Sequence, residues 1–292
     1  MKLTKIVSAC IQRDIDVWKV SAPRILENIE SQHYELIVPY RDTNAFRKVT
    51  PKDFSIKNDE DYICPEYRNK LIGLLAEKGE LGPTWFIQQF LKIIALTDGN
   101  VEDIALIWDS DTIPLRKLKF TDESGVLYYY YSDEYHAPYF DTLKRLLGID
   151  RLAPYSFIAQ CMPVYVEWVK LMVDQIEKRV GLPWMEAICT SITGSGNQFS
   201  EYETLGNFAL TNFPELVRFY DGHWERRGGK LFKTHQELLN LEQIFSNFDY
   251  VALENQDLQR RVHEKLYDYI RTFLPKDLKD KIKSCLKPSY FY

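Results

Sequence analysis

The most constraining feature of this sequence is a continuous apolar run that ends abruptly in acid. Ile104-Ala-Leu-Ile-Trp108 leads directly into Asp109-Ser110-Asp111-Thr112. An uninterrupted run of strand length suits a central strand buried on both faces, with helices covering the sheet. Two carboxylates two residues apart gain nothing from sitting at the end of such a strand. They repel one another, and burial raises their desolvation cost. A divalent cation relieves both problems, since Mg²⁺ and Mn²⁺ prefer oxygen ligands and Mg²⁺ takes one or two carboxylates plus substrate phosphates. The plainer account is a pair of loop acids capping the following turn.

The remaining chain frames that strand. Lys5-Ile-Val-Ser-Ala-Cys10 is a first apolar run ending in polar Gln12-Arg13-Asp14. A helical stretch follows, with Trp18, Ile25 and Ile29 spaced for one face. Glu35-Leu-Ile-Val-Pro39 then ends in Tyr40-Arg-Asp-Thr43, so the chain opens as a βαβ unit. Ligands of open α/β sheets lie beyond the carboxyl ends of the strands, which singles out residues 11–14 and 40–47. Gly82-Pro83 starts a helix of period 3.6 that stops at Thr97-Asp-Gly-Asn100. Val126–Tyr131 reads as a further strand, ending in Ser132-Asp133-Glu134. Pro163–Val180 reads as an amphipathic helix stopped by Gly181 and Pro183. From His235 onward the pattern is helical, broken at Pro275 and Pro288. The expected architecture is an α/β three-layer αβα sandwich over residues 1–234, with a helical C-terminal extension over 235–292 packed on it.

Composition narrows the functional classes. In 292 residues, 45% apolar and 27% charged side chains are ordinary globular usage, which excludes disordered and fibrous classes. A net charge of −5 argues against a general nucleic-acid binder. The five cysteines (10, 64, 161, 189, 285) form no CxxC pair, so neither a zinc site nor a disulfide framework is expected. No signal-like or membrane-spanning apolar stretch is present, and a cytoplasmic location is the expectation. The segment 259–292 carries nine Lys/Arg against four acids, which leaves −10 on the rest. In it Leu278, Ile282 and Leu286 recur every four residues among lysines, as in a helix lying on an anionic membrane surface. Docking on the body or on a second subunit would use the same pattern.

Three stretches carry a resemblance. Ile104–Leu115 resembles the DxD region of GT-A glycosyltransferases. Trp85-Phe-Ile-Gln-Gln-Phe-Leu-Lys92 resembles the helix before it in a bacterial group tied to surface-polysaccharide synthesis. Ser200-Glu-Tyr-Glu-Thr-Leu-Gly-Asn-Phe208 resembles an acidic motif of the same group. The resemblance implies a metal-dependent transferase that moves a sugar from a nucleotide-diphosphate sugar, a UDP-sugar first, to a glycan or lipid-linked acceptor. Mn²⁺ or Mg²⁺ on Asp109 and Asp111 would stabilise the departing diphosphate, with Ser110 between them. Gln12, Arg13, Asp42 and Arg47 become the base, ribose and phosphate candidates. Lys92 could reach a phosphate or lie exposed on its helix. An inverting reaction needs a base for the acceptor hydroxyl. Glu201 is the first candidate, then Glu203, then Asp133. On a helix, residues two apart do not face a site in the same way. His235 would complete the metal shell, with His223 as competitor.

Two other classes fit parts of this pattern. Asp109-Ser-Asp-Thr112 also matches the first motif of HAD phosphatases, with Asp109 as nucleophile and Asp111 as acid/base. That motif normally lies near the start of its domain and needs a later lysine and acidic pair, which are not evident here. A non-catalytic interaction module would have no need of acids clustered at strand ends. A nucleotidyltransferase would carry a glycine-rich phosphate loop, and residues 8–16 contain no glycine.

Overall fold

A computed structural model describes residues 2–80, 82–226, 228 and 247–253. Leu3–Ala9 forms β1, Ile15–Asn28 α1 and Ser31–Val38 β2, which is the expected opening unit. Helix α2 (Thr43–Arg47), strand β3 (Phe54–Asn58), and helices α3 (Asp59–Tyr62), α4 (Pro65–Glu77) and α5 (Pro83–Thr97) lead to β4 (Ile104–Trp108). Beyond it come β5 (Thr112–Pro114), β6 (Leu127–Tyr129), α6 (Ala137–Leu147), β7 (Cys161–Tyr165), α7 (Val166–Val180), α8 (Trp184–Ser191) and α9 (Glu201–Asn212). Strands β8 (Val217–Phe219), β9 (Trp224–Glu225) and β10 (Tyr250–Ala252) complete the described elements.

The central sheet has the order β3-β2-β1-β4-β7. The pairs β3/β2, β2/β1 and β1/β4 are parallel, and only β7 runs antiparallel, against β4. The fold is therefore mixed α/β with a mostly parallel sheet. Every residue of β4 is buried, as the uninterrupted apolar run requires. Because β1, β2 and β4 are parallel, their carboxyl ends emerge along one edge. Residues 10–14, 39–42 and 109–111 all lie on that edge. Among the described residues, no helix is long and apolar enough to cross a membrane.

Three elements depart from the sequence reading. The helix expected from Pro163 begins at Val166, and Cys161–Tyr165 is strand instead. A fully apolar segment of five residues has no period to distinguish helix from strand. Pro163 fits there because β7 is the last strand of its sheet, where a missing N–H need not break a ladder. The strand expected over 126–131 is only Leu127–Tyr129, paired in parallel with β8. Within the extension expected to be helical from His235, Tyr250–Ala252 is a strand between β5 and β9. Val251 and Leu253 join Val17, Ile113 and Phe248 in a small second core, so this segment gains more from burial than from helix formation. The remainder of the extension, including the basic stretch 276–292, lies outside the described residues.

Candidate active site

The turn after β4 is strapped to β1. Ser8 Oγ donates to the Trp108 carbonyl at 2.7 Å, and Ser110 Oγ donates to the Ala9 carbonyl at 3.0 Å. The Asp109 amide donates to the Gln160 carbonyl at 2.9 Å, and the Thr112 amide closes the turn on the Asp109 carbonyl at 3.0 Å. The Asp111 carbonyl accepts from the Leu253 amide at 2.8 Å, which ties the second core to the same turn. Asp109 and Asp111 are thus held by backbone geometry at the head of a fully buried strand.

Lys92 lies at the centre of the charge arrangement. Its ammonium is buried, donates to Glu201 Oε1 at 2.9 Å and pairs with Asp109 Oδ1. Tyr202 Oη donates to that same Oδ1 at 2.9 Å, and Lys92 Nζ lies 5.2 Å from the Tyr202 ring centre. Gln89, one turn before Lys92 on α5, accepts the Glu201 amide at 2.8 Å. Burial pulls the Lys92 pKa down, but Asp109 and Glu201 outweigh it and the net shift is upward. Burial pushes Glu201 up; Lys92 opposes this, and Asp109 adds to it. Lys92 is therefore a buried cation shared by two carboxylates, not an exposed helix residue.

These groups line a cavity of about 400 Å³. Five carboxylates face it (Asp14, Asp109, Asp111, Glu134, Glu201) against three cations (Arg13, Lys92, Arg226). With every carboxylate ionised, the lining carries a formal charge of −2. Arg226 pairs with Glu134, and Arg13 donates to Asp14 Oδ1 at 3.1 Å. Arg13 is held charged chiefly by that hydrogen bond, with Asp111 adding to it.

A second cavity, of about 530 Å³, lies over the ends of β1 and β2. Gln12, Arg13 and Asp42 line it, together with the apolar walls of Ile11, Val38 and Leu91. Arg13 and Gln88 line both cavities, so the two adjoin at these residues. Two buried atoms at the walls of the second cavity, Asp42 Oδ2 and Arg68 Nε, have no hydrogen-bond partner among the described residues. Buried polar atoms are nearly always paired in folded proteins, so unpartnered ones beside a cavity point to a polar ligand.

Several sequence candidates lie elsewhere. Glu201 and Glu203 sit two apart in the first turn of α9, capped by Ser200, and so point to opposite sides. Glu203 faces away from both cavities. Its carboxylate accepts from Ser156 Oγ at 2.5 Å and Asn207 Nδ2 at 3.4 Å, and burial pushes its pKa up to about 6. Asp133 is exposed and lines neither cavity, whereas its neighbour Glu134 does, because alternate residues of an extended segment face opposite ways. Arg47, at the exposed end of α2, also lines neither. His223 stacks on Phe248 at 3.8 Å and lines neither cavity, and His235 lies outside the described residues. Among the described residues no three His, Cys, Asp or Glu side chains gather as a metal site. The available donors are the pair Asp109 and Asp111, a set suited to a cation that takes its other ligands from a substrate.

Sequence reasoning missed Gln89, Glu134, Gln160 and Arg226 as lining residues, whereas Asp14 lies in the stretch 11–14 it singled out. Gln89 had a signal, since positions three apart share a helix face. Arg226 and Gln160 had none, because only the tertiary path brings them to β4.

A family model described as "Family of unknown function (DUF6492)" matches residues 21–248. No curated protein matches the chain. Among solved structures, the apo form of mouse xyloside xylosyltransferase 1 is similar with a TM-score of 0.44 and 11% identity, over 85% of this chain and 96% of that one. A galactosyltransferase LgtC, in complex with donor and acceptor sugar analogs, is similar with a TM-score of 0.42 and 12% identity, over 95% of this chain and 100% of that one.

Proposed function

The chain belongs to the DUF6492 family, and from its site we propose that it is a metal-dependent glycosyltransferase using a nucleoside-diphosphate sugar. One observation carries this reading. The cavity holding Asp109 and Asp111 adjoins, at Arg13 and Gln88, a partly apolar cavity over the ends of β1 and β2. A nucleoside fits the second cavity, where Asp42 and Arg68 offer unpartnered polar atoms. The diphosphate then falls at the junction, beside Arg13, and the sugar enters the first cavity.

The charge balance supports a divalent cation. Five carboxylates against three cations repel a diphosphate unless a positive ion intervenes. Asp109 and Asp111 would hold Mn²⁺ or Mg²⁺, and the ion would supply Lewis-acid stabilisation of the departing diphosphate. Lys92 and Tyr202 orient Asp109 through its Oδ1. Glu201, on the sugar side of the cavity, is the group to accept the acceptor's proton in an inverting reaction. A UDP-sugar as donor, and a glycan or lipid-linked acceptor in surface-polysaccharide synthesis, follow from the sequence resemblance. The phosphatase alternative expects a lysine after the motif, whereas the lysine that pairs with Asp109 is Lys92, which precedes it.

The test is thermal stability with UDP, GDP, CMP and dTDP, with and without Mn²⁺, alongside Asp111→Ala. A ligand at 100 times its dissociation constant adds about 2.7 kcal/mol. The expected result is a Mn²⁺-dependent rise with one nucleotide, absent in the variant. No shift with any nucleotide, together with Mg²⁺-dependent hydrolysis of p-nitrophenyl phosphate, would replace this reading with the phosphatase.

A further inference from the structure

Gln160 is the sole non-glycine residue at positive φ among the described residues, at 65°. Glutamine gains no local side-chain compensation there, unlike asparagine or aspartate. The surroundings impose the conformation. Its carbonyl accepts the Asp109 amide at 2.9 Å, the preceding Ala159 carbonyl accepts from Tyr250 Oη at 2.7 Å, and the following Cys161 opens β7 opposite Trp108. Strained backbone of this kind persists where the rest of the structure over-determines it, and it concentrates at functional sites.

Gln160 lines the Asp109 cavity and is 5% exposed. Its amide makes no hydrogen bond to any described residue. An amide carries two N–H donors and an acceptor oxygen, and a buried one is normally satisfied. Gln160 is nine-tenths buried as a residue and lines the cavity, so an amide that pairs with no described residue is available there to a ligand. Its chemistry selects the class. A phosphate would use only the donors and a cation only the oxygen, whereas neighbouring hydroxyls of a sugar ring use both. The negative lining also disfavours a bare anion at this wall.

We propose that Gln160 binds ring hydroxyls of the transferred sugar and so helps to set donor specificity. This rests on the transferase reading above. The test measures binding, with Mn²⁺ present, of UDP against UDP-glucose, UDP-galactose and UDP-N-acetylglucosamine, and of GDP against GDP-mannose. The proteins are wild type, Gln160→Gly and Gln160→Ala. Glycine removes the amide and also accepts positive φ, so this variant folds without the strain. Losing two hydrogen bonds of ordinary net strength should weaken nucleotide-sugar binding about tenfold. Affinity for the matching nucleoside diphosphate should stay within about twofold. Equal weakening of both ligands, or unchanged sugar binding, overturns the assignment while leaving the transferase reading intact. Wild-type protein that binds neither ligand overturns the transferase reading and this inference with it.

Discussion

Lys92 is the residue on which the site's electrostatics turn. A buried ammonium between two carboxylates is a large desolvation cost met by close pairing, and removing the cation leaves two like charges facing each other. Lys92→Met is expected to destabilise the fold by about 3–5 kcal/mol, the usual range for breaking a buried ion pair from one side. Adding Glu201→Gln should recover part of that loss, because it removes one stranded charge. Denaturant unfolding of the two single variants and the double variant forms the cycle that checks it. Purely additive losses would mean that Lys92 and Glu201 are not coupled. Glu203 makes the opposite case, a buried carboxyl in no ion pair among the described residues, with Arg151 acting on it only through space. Burial raises its pKa from 4.5 to about 6. The folded state then binds more protons than the unfolded state between those values, so this group's contribution to stability falls as pH rises through that window. Glu203→Gln should therefore stabilise the protein at pH 7.5, by about 2 kcal/mol at most. The advantage should vanish near pH 4. Chemical denaturation at the two pH values reads the difference, and a pH-independent effect would contradict it.

At the scale of elements, α9 does two jobs that its sequence links. Ser200 caps it, accepting from the Glu203 amide at 3.3 Å, and so sets which side of the helix carries Glu201. One turn on, Gly206 lets the helix press against Phe157, in the segment leading to Gln160. A Cβ on Gly206 would lie 2.2 Å from that ring. Gly206→Ala should cost about 1–3 kcal/mol by overpacking, despite alanine's better helix propensity. It should also weaken nucleotide-sugar binding, since the displaced ring sits three residues from Gln160. Thermal unfolding and the binding assay together check this, and a stabilised variant would show that the helix has room to move. The motif around Glu201 was legible as acidic, but its glycine acquired a meaning only once Phe157 was seen against it.

For the molecule as a whole, the site depends on a segment more than 130 residues beyond the acids it supports. Residues 247–253 add β10 to β5, bury Val251 against Val17 and Ile113, and bond Leu253 to the Asp111 carbonyl. Val251→Ala should cost about 2 kcal/mol through the cavity it leaves. It should also loosen the Asp111 turn, so Mn²⁺-dependent nucleotide binding should weaken with it. Calorimetric titration alongside unfolding tests the coupling, and lost stability with unchanged binding would separate the second core from the site.

The sequence by itself determined what depends on neighbours along the chain. The uninterrupted run Ile104–Trp108, set between turn signals, suits a strand covered on both faces. The spacing of Asp109 and Asp111 follows from it, as do the opening strand–helix–strand unit and the glycine stop at Gly181. Those features rest on local apolar patterning and turn chemistry. The tertiary structure decided what depends on distant chain segments meeting. It paired Lys92 with Glu201, turned Glu203 away, drew Cys161–Tyr165 and Tyr250–Ala252 into sheets, and forced Gln160 to a positive φ. Burial, ion pairing and ladder closure between remote residues override local preference there, and no periodicity in the sequence records them.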